Sequence, residues 1–187
     1  AGQAANNTIR KLGSEKISSR QIPVIFDKRV AKSLLNYFSS AIKGDTIVRG
    51  TSFLKDALTK QIFNHSINII DDPLLDAGIA SKIFDVEAQK TAKLNLVEDG
   101  VLNDYLLDLR SAKQLDLPAN ARASRDTSSA PAPASTNLYI ANGLTALQDF
   151  YNVAPQILLV TETFGMGVNI ITGDYSLGAC GFLVENG

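Results

Sequence analysis

The sequence holds a single histidine, His65, a single cysteine, Cys180, and no tryptophan. Zinc takes three or four ligands, and catalytic zinc usually takes two or three histidines, so an H-E-x-x-H or related zinc motif is excluded. An internal disulfide is excluded as well, and the apolar, strand-like surroundings of Cys180 predict a buried structural thiol. His65 lies in the run F-N-H-S-I without a G-x-S-x-G nucleophile elbow, which favours a structural histidine over a Ser-His-Asp triad.

Strong charge and long apolar runs are also lacking. The formal net charge is −1 over 187 residues, so no electrostatic field would attract nucleic acid or an anionic membrane. No apolar run reaches the roughly 18 residues of a membrane span, and residues 1–8 lack the basic and apolar regions of a signal peptide. Gly165-Met166-Gly167 lacks the third glycine of the dinucleotide motif. These absences predict a soluble, cytoplasmic protein without nucleic-acid or membrane partners.

Paired acidic residues are the remaining candidates for chemistry. Two neighbouring carboxylates can share a proton or hold a hard cation, but such pairs more often mark turns or solvated faces. The turn interpretation is preferred, and acid/base catalysis or metal binding by one pair stays an alternative. The pairs are Asp71 with Asp72, Asp85 with Glu87, Glu98 with Asp99, and Asp104 with Asp108.

Hydrophobic patterns predict an α+β fold with a mostly antiparallel, glycine-rich sheet, barrel-like or sandwich-like, and a few packed helices. Six glycines between residues 161 and 187 predict strands with sharp corners that form the scaffold of the molecule. An amphipathic helix is predicted from its N-cap at Asp27 to Gly44, which follows its last turn, and a shorter helix over 144–151. Other strands are predicted over 21–26, 66–70, 94–97, 101–110, 137–141 and 156–161.

Two segments have a distinct character. Asp99-Gly100 predicts a hairpin turn between residues 94–97 and 101–110, although residues 101–110 also fit a helix. Residues 118–136 are rich in Pro, Ser and Ala and have almost nothing to bury, which predicts a mobile loop.

Four runs of residues combine acidic and glycine-rich motifs in an unusual order. They are I-I-D-D-P from Ile69, F-D-V-E from Phe84, V-E-D-G-V-L-N-D-Y-L-L-D from Val97, and G-M-G-V-N-I-I-T-G-D-Y-S-L-G-A-C-G-F-L-V-E-N-G from Gly165. These runs resemble the TldD/PmbA family, whose members are labelled modulators of DNA gyrase and peptide-maturation proteins. The resemblance extends from about Pro23 to the C-terminus. It implies that residues 21–187 are an incomplete C-terminal domain and that residues 1–20 are a linker from a missing N-terminal domain.

The resemblance favours one of the two branches of this family. TldD-type members carry H-E-x-x-x-H on a helix and are zinc metallopeptidases, whereas PmbA-type members, also called TldE, lack the motif and pair with TldD. In this sequence the motif positions fall at Asn36, Tyr37 and Ala41, or Ile42 with one residue of shift, and none of these is a good zinc ligand. Ala88 departs from the family pattern, which tends to have glycine there.

The resemblance to the PmbA/TldE branch implies a non-catalytic subunit of a heterodimeric metallopeptidase that trims or degrades small or unfolded peptides. Catalytic residues, metal and cofactor are expected to be absent from this chain, and zinc is expected in a TldD-like partner. A homodimer is a further possibility. The alternatives are a metal-dependent peptidase in its own right and a regulator that binds DNA gyrase or another protein without proteolysis.

The glycine-rich stretch is expected to supply a dimer surface and one wall of a peptide cleft, where an extended peptide pairs with strand backbone. Turn formation and strand-end hydrogen bonding are the competing roles for its Asn, Asp and Tyr residues. The candidate residues for the cleft or dimer surface are Gly165, Gly167, Asn169, Gly173, Asp174 and Tyr175.

Overall fold

Four short helices and eleven strands follow one another between Val24 and Glu185 in a computed structural model, which describes Gly2, residues 8–10 and residues 12–186. The helices are α1 (Lys28–Ala41), α2 (Gly44–Val48), α3 (Leu109–Leu115) and α4 (Leu147–Phe150). The strands are β1 (Val24–Phe26), β2 (Ile69–Asp71), β3 (Leu94–Glu98), β4 (Val101–Leu102), β5 (Ala123–Ser124), β6 (Ala132–Pro133), β7 (Leu138–Ile140), β8 (Gln156–Phe164), β9 (Val168–Asn169), β10 (Asp174–Tyr175) and β11 (Gly178–Glu185).

The strands form four small sheets, and antiparallel pairing dominates. One sheet has the order β4-β3-β2-β7, and another has the order β1-β8-β11, in which β1 runs parallel to β8. The pairs β9/β10 and β5/β6 are two-stranded ribbons. The predicted sheet-dominated α+β class is therefore confirmed, while the strands of the described residues do not close into a barrel. Within those residues, no helix has both the length and the apolar character of a membrane span.

The hydrophobic core lies between α1 and the four-stranded sheet. Phe38, Ala41 and Ile42 at the end of α1 pack with Leu96, Val97 and Leu102 of the sheet and with Leu106 and Leu107 beyond it. The helix begins as predicted, because the Asp27 carboxylate accepts a hydrogen bond of 3.0 Å from the Arg29 backbone N–H. That bond is the main cause of the lowered pKa of the Asp27 carboxyl. The apolar residues that recur at helical spacing along α1 mark the face that packs against the core.

The end of α1 differs from the prediction. The helix stops at Ala41, and Gly44 is the first residue of α2 rather than the residue that follows the last turn of α1. A Cβ atom at Gly44 would lie 2.3 Å from Ser111 Oγ. The glycine is therefore required by the close approach of α2 to α3.

The glycine-rich stretch contributes less to the core than predicted. Within β8 and β11 only Ile157 and Val160 are buried, since glycine brings no apolar side chain to a core. Cys180 was predicted to be buried, and this is wrong: its thiol is exposed, next to a register shift between Cys180 and Gly181. The extra residue of this bulge is Thr161 of β8, and the neighbours of Cys180 in β11, Ala179 and Gly181, are exposed as well.

The Asp99-Gly100 hairpin turn is present, with φ angles of 48° and 79° at the two residues. Both positive values are typical of a type I′ turn. The second arm ends at Leu102, so the strand predicted over 101–110 is wrong beyond that residue. Leu106 instead donates a backbone hydrogen bond of 2.9 Å to Ile42, and α3 begins at Leu109. Contacts with the end of α1 thus override the local pattern.

Residues 118–136 are more deeply packed than their composition indicates. Ala121, Arg122 and Ala123 are buried, and Ala123 pairs with Pro133 across the β5/β6 ribbon. The prediction that this segment has almost nothing to bury is therefore wrong for residues 121–123, where Arg122 is buried with its partner Asp71, and for Pro133. Residues 125–130 between the strands are exposed. The mobility of the segment stays a prediction.

Candidate functional site

An apolar cavity of about 330 Å³ lies between α1 and the β9/β10 hairpin. Five aromatic side chains line it, and we call it the aromatic groove. Its aromatic residues are Tyr37, Phe38, Phe53, Phe63 and Tyr175, and Asp174 and Asn169 lie on the hairpin side.

The hairpin is held over the groove by contacts with Phe53. The Phe53 backbone N–H donates to the Ile170 carbonyl at 2.9 Å. Gly173, with φ +83°, comes so close that a Cβ atom there would lie 3.0 Å from the Phe53 ring. The turn is closed from within, because the Gly173 N–H donates to the Asn169 carbonyl at 2.8 Å and the Ile171 N–H donates to Asn169 Oδ1 at 2.9 Å. The tip of the hairpin therefore rests on an aromatic ring.

Two edge-to-face aromatic pairs shape the groove. The rings of Tyr37 and Tyr175 have centroids 6.2 Å apart and an interplanar angle of 73°. The rings of Phe38 and Phe63 have centroids 5.7 Å apart and an angle of 61°. Burial, followed by the neighbouring Tyr37 hydroxyl, raises the pKa of Tyr175. Tyr175 therefore remains a neutral hydroxyl at physiological pH.

Asp174 is the only charged residue that lines the groove among the residues described. It is exposed, and its Oδ2 atom accepts a hydrogen bond of 2.6 Å from Thr172 Oγ1. No lysine, arginine or histidine of the described chain lies in the wall of the groove. The groove therefore combines aromatic faces with a single negative charge.

The structure brings four of the six predicted cleft residues together in this groove: Asn169, Gly173, Asp174 and Tyr175. Gly165 and Gly167 lie outside it, at the base of the hairpin. Gly165 has φ +100°, and a Cβ atom at Gly167 would lie 1.7 Å from the Ser176 carbonyl oxygen. The Gly167 carbonyl accepts a hydrogen bond of 2.8 Å from the Ser176 N–H. These two glycines therefore serve the path of the backbone rather than the wall of the groove.

The three positions of the zinc motif on α1 do not converge. Asn36 is exposed, Tyr37 lines the groove, and Ala41 is 1% exposed within the core. An amide, a phenol and a methyl group are poor donors for zinc, which prefers thiolate, imidazole or carboxylate ligands. These residues do not fit a zinc ion. Elsewhere in the part of the chain that the structure describes, no three His, Cys, Asp or Glu side chains come together as a possible metal site.

The first acidic pair in the sequence, Asp71 with Asp72, has a structural role. Asp71 is fully buried and forms an ion pair with Arg122, which is also fully buried. The Asp71 carboxylate also accepts bonds from the Thr136 N–H at 2.7 Å and the Thr136 hydroxyl at 2.8 Å. Asp72 Oδ1 accepts from the Leu74 N–H at 2.9 Å, as in a turn.

The other pairs are likewise bound within the fold. Asp85 accepts backbone hydrogen bonds from Glu87, Gln89 and Ala123, and Glu87 accepts one from Leu109. Asp108 caps α3, and Asp99 lies in the hairpin turn. Burial raises the pKa of Asp104, whose carboxylate accepts a hydrogen bond of 2.9 Å from Asn120. His65 approaches the Asp99 carbonyl at 3.2 Å. The turn interpretation describes Asp72, Asp85 and Asp99, whereas Asp71 forms an ion pair and Asp108 caps a helix.

Sequence reasoning missed the opposite wall of the groove. Phe53 lies in a segment, residues 45–60, to which no element was assigned, and Phe63 lies in an unassigned segment before the first core strand. The signal that could have found them is their place in irregular segments. Such segments usually lie at the surface, where exposed aromatic residues can mark a binding site.

A sequence profile of the PmbA/TldA metallopeptidase C-terminal domain matches residues 19–187. A PmbA metalloprotease homologue from Haemophilus influenzae is 39% identical over 183 residues, which are 98% of this chain and 39% of the relative. The chain therefore spans about two fifths of the length of the curated relatives it matches.

Two crystal structures share the fold. A candidate modulator of DNA gyrase from Bacteroides thetaiotaomicron has a TM-score of 0.87 and 28% identity, over 99% of this chain and 40% of that one. TldE from Thermococcus kodakarensis has a TM-score of 0.76 and 25% identity, over 88% of this chain and 38% of that one. The profile match, the PmbA relatives and these folds agree with the motifs in the sequence, and the chain belongs to the PmbA/TldD metallopeptidase family.

Proposed function

We propose that this chain is part of a PmbA/TldE-type, non-catalytic subunit of a cytoplasmic, heterodimeric peptidase. A TldD-like partner would supply the zinc ion and the hydrolytic residues. The substrate would be a small or unfolded peptide. The observation that carries the proposal is that α1 directs Tyr37 to the aromatic groove and buries Ala41 in the core.

The side chains of α1 support a packing role for this helix. The helix that would bear the metal ligands of a TldD-type member instead places an aromatic ring against Tyr175 of the hairpin. Restoring a zinc site would require donors at three positions, of which one, Ala41, lies among Phe38, Leu106 and other core residues. A histidine there would have to displace packed side chains.

The geometry also supports a cleft for an extended peptide. The groove is bounded by the β9/β10 hairpin, and β8 and β11 lead to and from that hairpin. Among the described strands, β11 pairs with β8 on one side only, which leaves the backbone of its other edge available to a further strand. Backbone pairing at an edge and a pocket for a side chain together describe peptide recognition by strand addition.

Metal analysis and co-purification test this proposal on the full-length protein. The protein alone should hold essentially no zinc and should not hydrolyse unfolded peptides. After co-expression with a TldD-like protein of the same cell, a stable complex should hold about one zinc ion per heterodimer and should show chelator-sensitive peptidase activity.

Two results would overturn the proposal. Stoichiometric zinc and peptidase activity in the isolated protein would show that it is a peptidase in its own right. Capture of DNA gyrase from the host lysate, without a TldD-like protein and without proteolysis, would favour the regulator. The zinc measurement on the isolated protein comes first, because it separates the subunit from the enzyme without knowledge of the partner.

A further inference from the structure

The wall of the aromatic groove has an unusual balance of charge. Tyr37, Phe38, Phe53 and Tyr175 offer ring faces and edges, and Asp174 adds one carboxylate at the exposed rim. No cationic side chain of the described residues lines the groove to neutralise that carboxylate. The electron-rich faces of aromatic rings attract cations, and a carboxylate at the rim acts in the same direction. The groove is therefore complementary to a positive charge.

The side chains that line the groove favour an organic cation over a metal ion. A metal ion is poorly matched, because ring faces and a single carboxylate do not supply the oxygen or nitrogen ligands that it needs. A lysine or arginine side chain is well matched, since its methylene stem can pack on Phe53 and Tyr37 while its charged head reaches the rim. The apolar floor and the charged rim of the groove correspond to these two parts of the side chain.

We propose that the aromatic groove binds a lysine or arginine side chain of an extended peptide, with its stem between Tyr37 and Phe53 and its head at Asp174. The inference rests on the proposed function in one respect, because it takes the ligand to be a peptide. It adds the chemical class of the residue that the groove selects. It makes no use of the zinc partner.

The hairpin sets the position of the charge. Asp174 stands at the start of β10, directly after Gly173, whose backbone lies against the Phe53 ring. Thr172 Oγ1 donates to Asp174 Oδ2 and so orients the carboxylate relative to the turn. Tyr175, the next residue, contacts the ring of Tyr37 across the groove. The ring contacts and the carboxylate are thus fixed by three consecutive residues.

Direct binding of peptides to the full-length protein, without a TldD-like partner, tests the proposal. The probes are fluorescent, extended Gly/Ser-rich peptides that are identical except for a central lysine, norleucine or glutamate. Norleucine keeps the apolar stem of lysine and lacks its charge. We expect the lysine peptide to bind about tenfold more tightly than the norleucine peptide, and the glutamate peptide to bind most weakly.

Two variants with the same loss of charge locate the effect. Asp174→Asn should remove most of the preference for lysine over norleucine and leave the affinity of the norleucine peptide nearly unchanged. Asp116→Asn is the matched control: Asp116 is an exposed residue in the left-handed conformation at the end of α3, which asparagine also adopts readily. This control should retain the full preference.

Equal binding of the lysine and norleucine peptides would overturn the inference, as would a lysine preference that Asp174→Asn leaves intact. Absence of binding by all three peptides would overturn it too. Assembly with a TldD-like protein is measured separately by size-exclusion chromatography of the same preparations. A protein that assembles normally but does not discriminate lysine refutes this inference alone, whereas failure to assemble refutes the proposed function alone.

Discussion

Asp71 and Asp174 both stand in acidic motifs, yet their surroundings are opposite. Asp71 is fully buried, and Arg122 and Thr136 occupy its carboxylate oxygens. Asp174 is exposed at the rim of the aromatic groove, where Thr172 is its hydrogen-bond donor. A carboxylate whose partners all come from its own chain holds the fold together, whereas a carboxylate at an open aromatic rim can meet a ligand. The surroundings, rather than the motif, separate structure from recognition.

The largest expected effect comes from removing the cation that pairs with the buried Asp71 carboxylate. Arg122→Met leaves the Asp71 carboxylate buried without its cation, and we expect a loss of about 3–5 kcal/mol in the free energy of unfolding. Urea denaturation followed by circular dichroism measures this loss. The double variant Asp71→Asn/Arg122→Met removes both charges and should recover a large part of the stability. A single variant as stable as the double one would show that the ion pair is not coupled.

The next largest effect concerns the backbone of the β9/β10 hairpin, which carries Asp174. Gly167→Ala would place a Cβ atom 1.7 Å from the Ser176 carbonyl oxygen, so the base of the β9/β10 hairpin must open. We expect a loss of about 1–3 kcal/mol and faster hydrogen exchange over residues 168–176. Gly143→Ala is the control, because nothing lies within 4 Å of its new Cβ atom. Equal exchange in the two variants would contradict the assigned close approach.

A smaller effect is expected at Asp104, which is half-buried between the two extremes. Burial raises its pKa above the ordinary value of 3.8, so the folded state binds the proton more tightly than the unfolded state. Its contribution to stability is fully present below the unfolded pKa and is lost as pH rises through the folded pKa.

Asp104→Asn removes this titration. The stability of the variant relative to the wild type should therefore increase as pH rises from below 3.8 towards neutrality. Denaturant titrations at several pH values measure the difference. A difference that stays constant with pH would show that the carboxyl titrates normally.

The smallest effect is expected within the groove itself. Burial and the nearby Tyr37 raise the pKa of Tyr175, and burial raises the pKa of Tyr105, so these two of the five tyrosines should ionise late in an alkaline absorbance titration. Tyr175→Phe should remove one tyrosine from the late step and leave the Tyr105 part, and Tyr37→Phe should shift the Tyr175 part only slightly, since burial is the larger cause. An unchanged late step in Tyr175→Phe would assign the late ionisation to Tyr105 alone.

Local patterns predicted the elements whose signals are short-range. The Asp27 cap, the apolar stripe of α1 and the Asp99-Gly100 turn are each written within a few neighbouring residues, and each occurs where it was expected. Hydrophobic patterns predicted the fold class, and the motifs in the same sequence predicted the family. Asn169, Gly173, Asp174 and Tyr175 were expected at a cleft or dimer surface; they lie along one groove, and their role in binding stays a prediction.

Features that depend on distant contacts were missed. Leu106 leaves the predicted strand because its backbone binds the end of α1, and Arg122 is buried because Asp71 lies 51 residues earlier in the chain. Cys180 is exposed together with its neighbours Ala179 and Gly181, so this end of β11 does not pack into the core. Phe53 joins the groove through its bond to Ile170 and the contact of its ring with Gly173. None of these partners can be read from the residues on either side.

The Asp71 carboxylate closes a loop of the chain, the segment between Arg122 and Thr136. Arg122 and Thr136 bind the same carboxylate, so one side chain fastens both stems of the excursion between them. Residues 125–130, at the far end of that excursion, are exposed. Because the entropy of closing a loop grows only slowly with its length, residues could be added at this tip with little loss of stability. Residues 125–130 are thus a natural insertion point, in a loop whose two ends are both bound by Asp71.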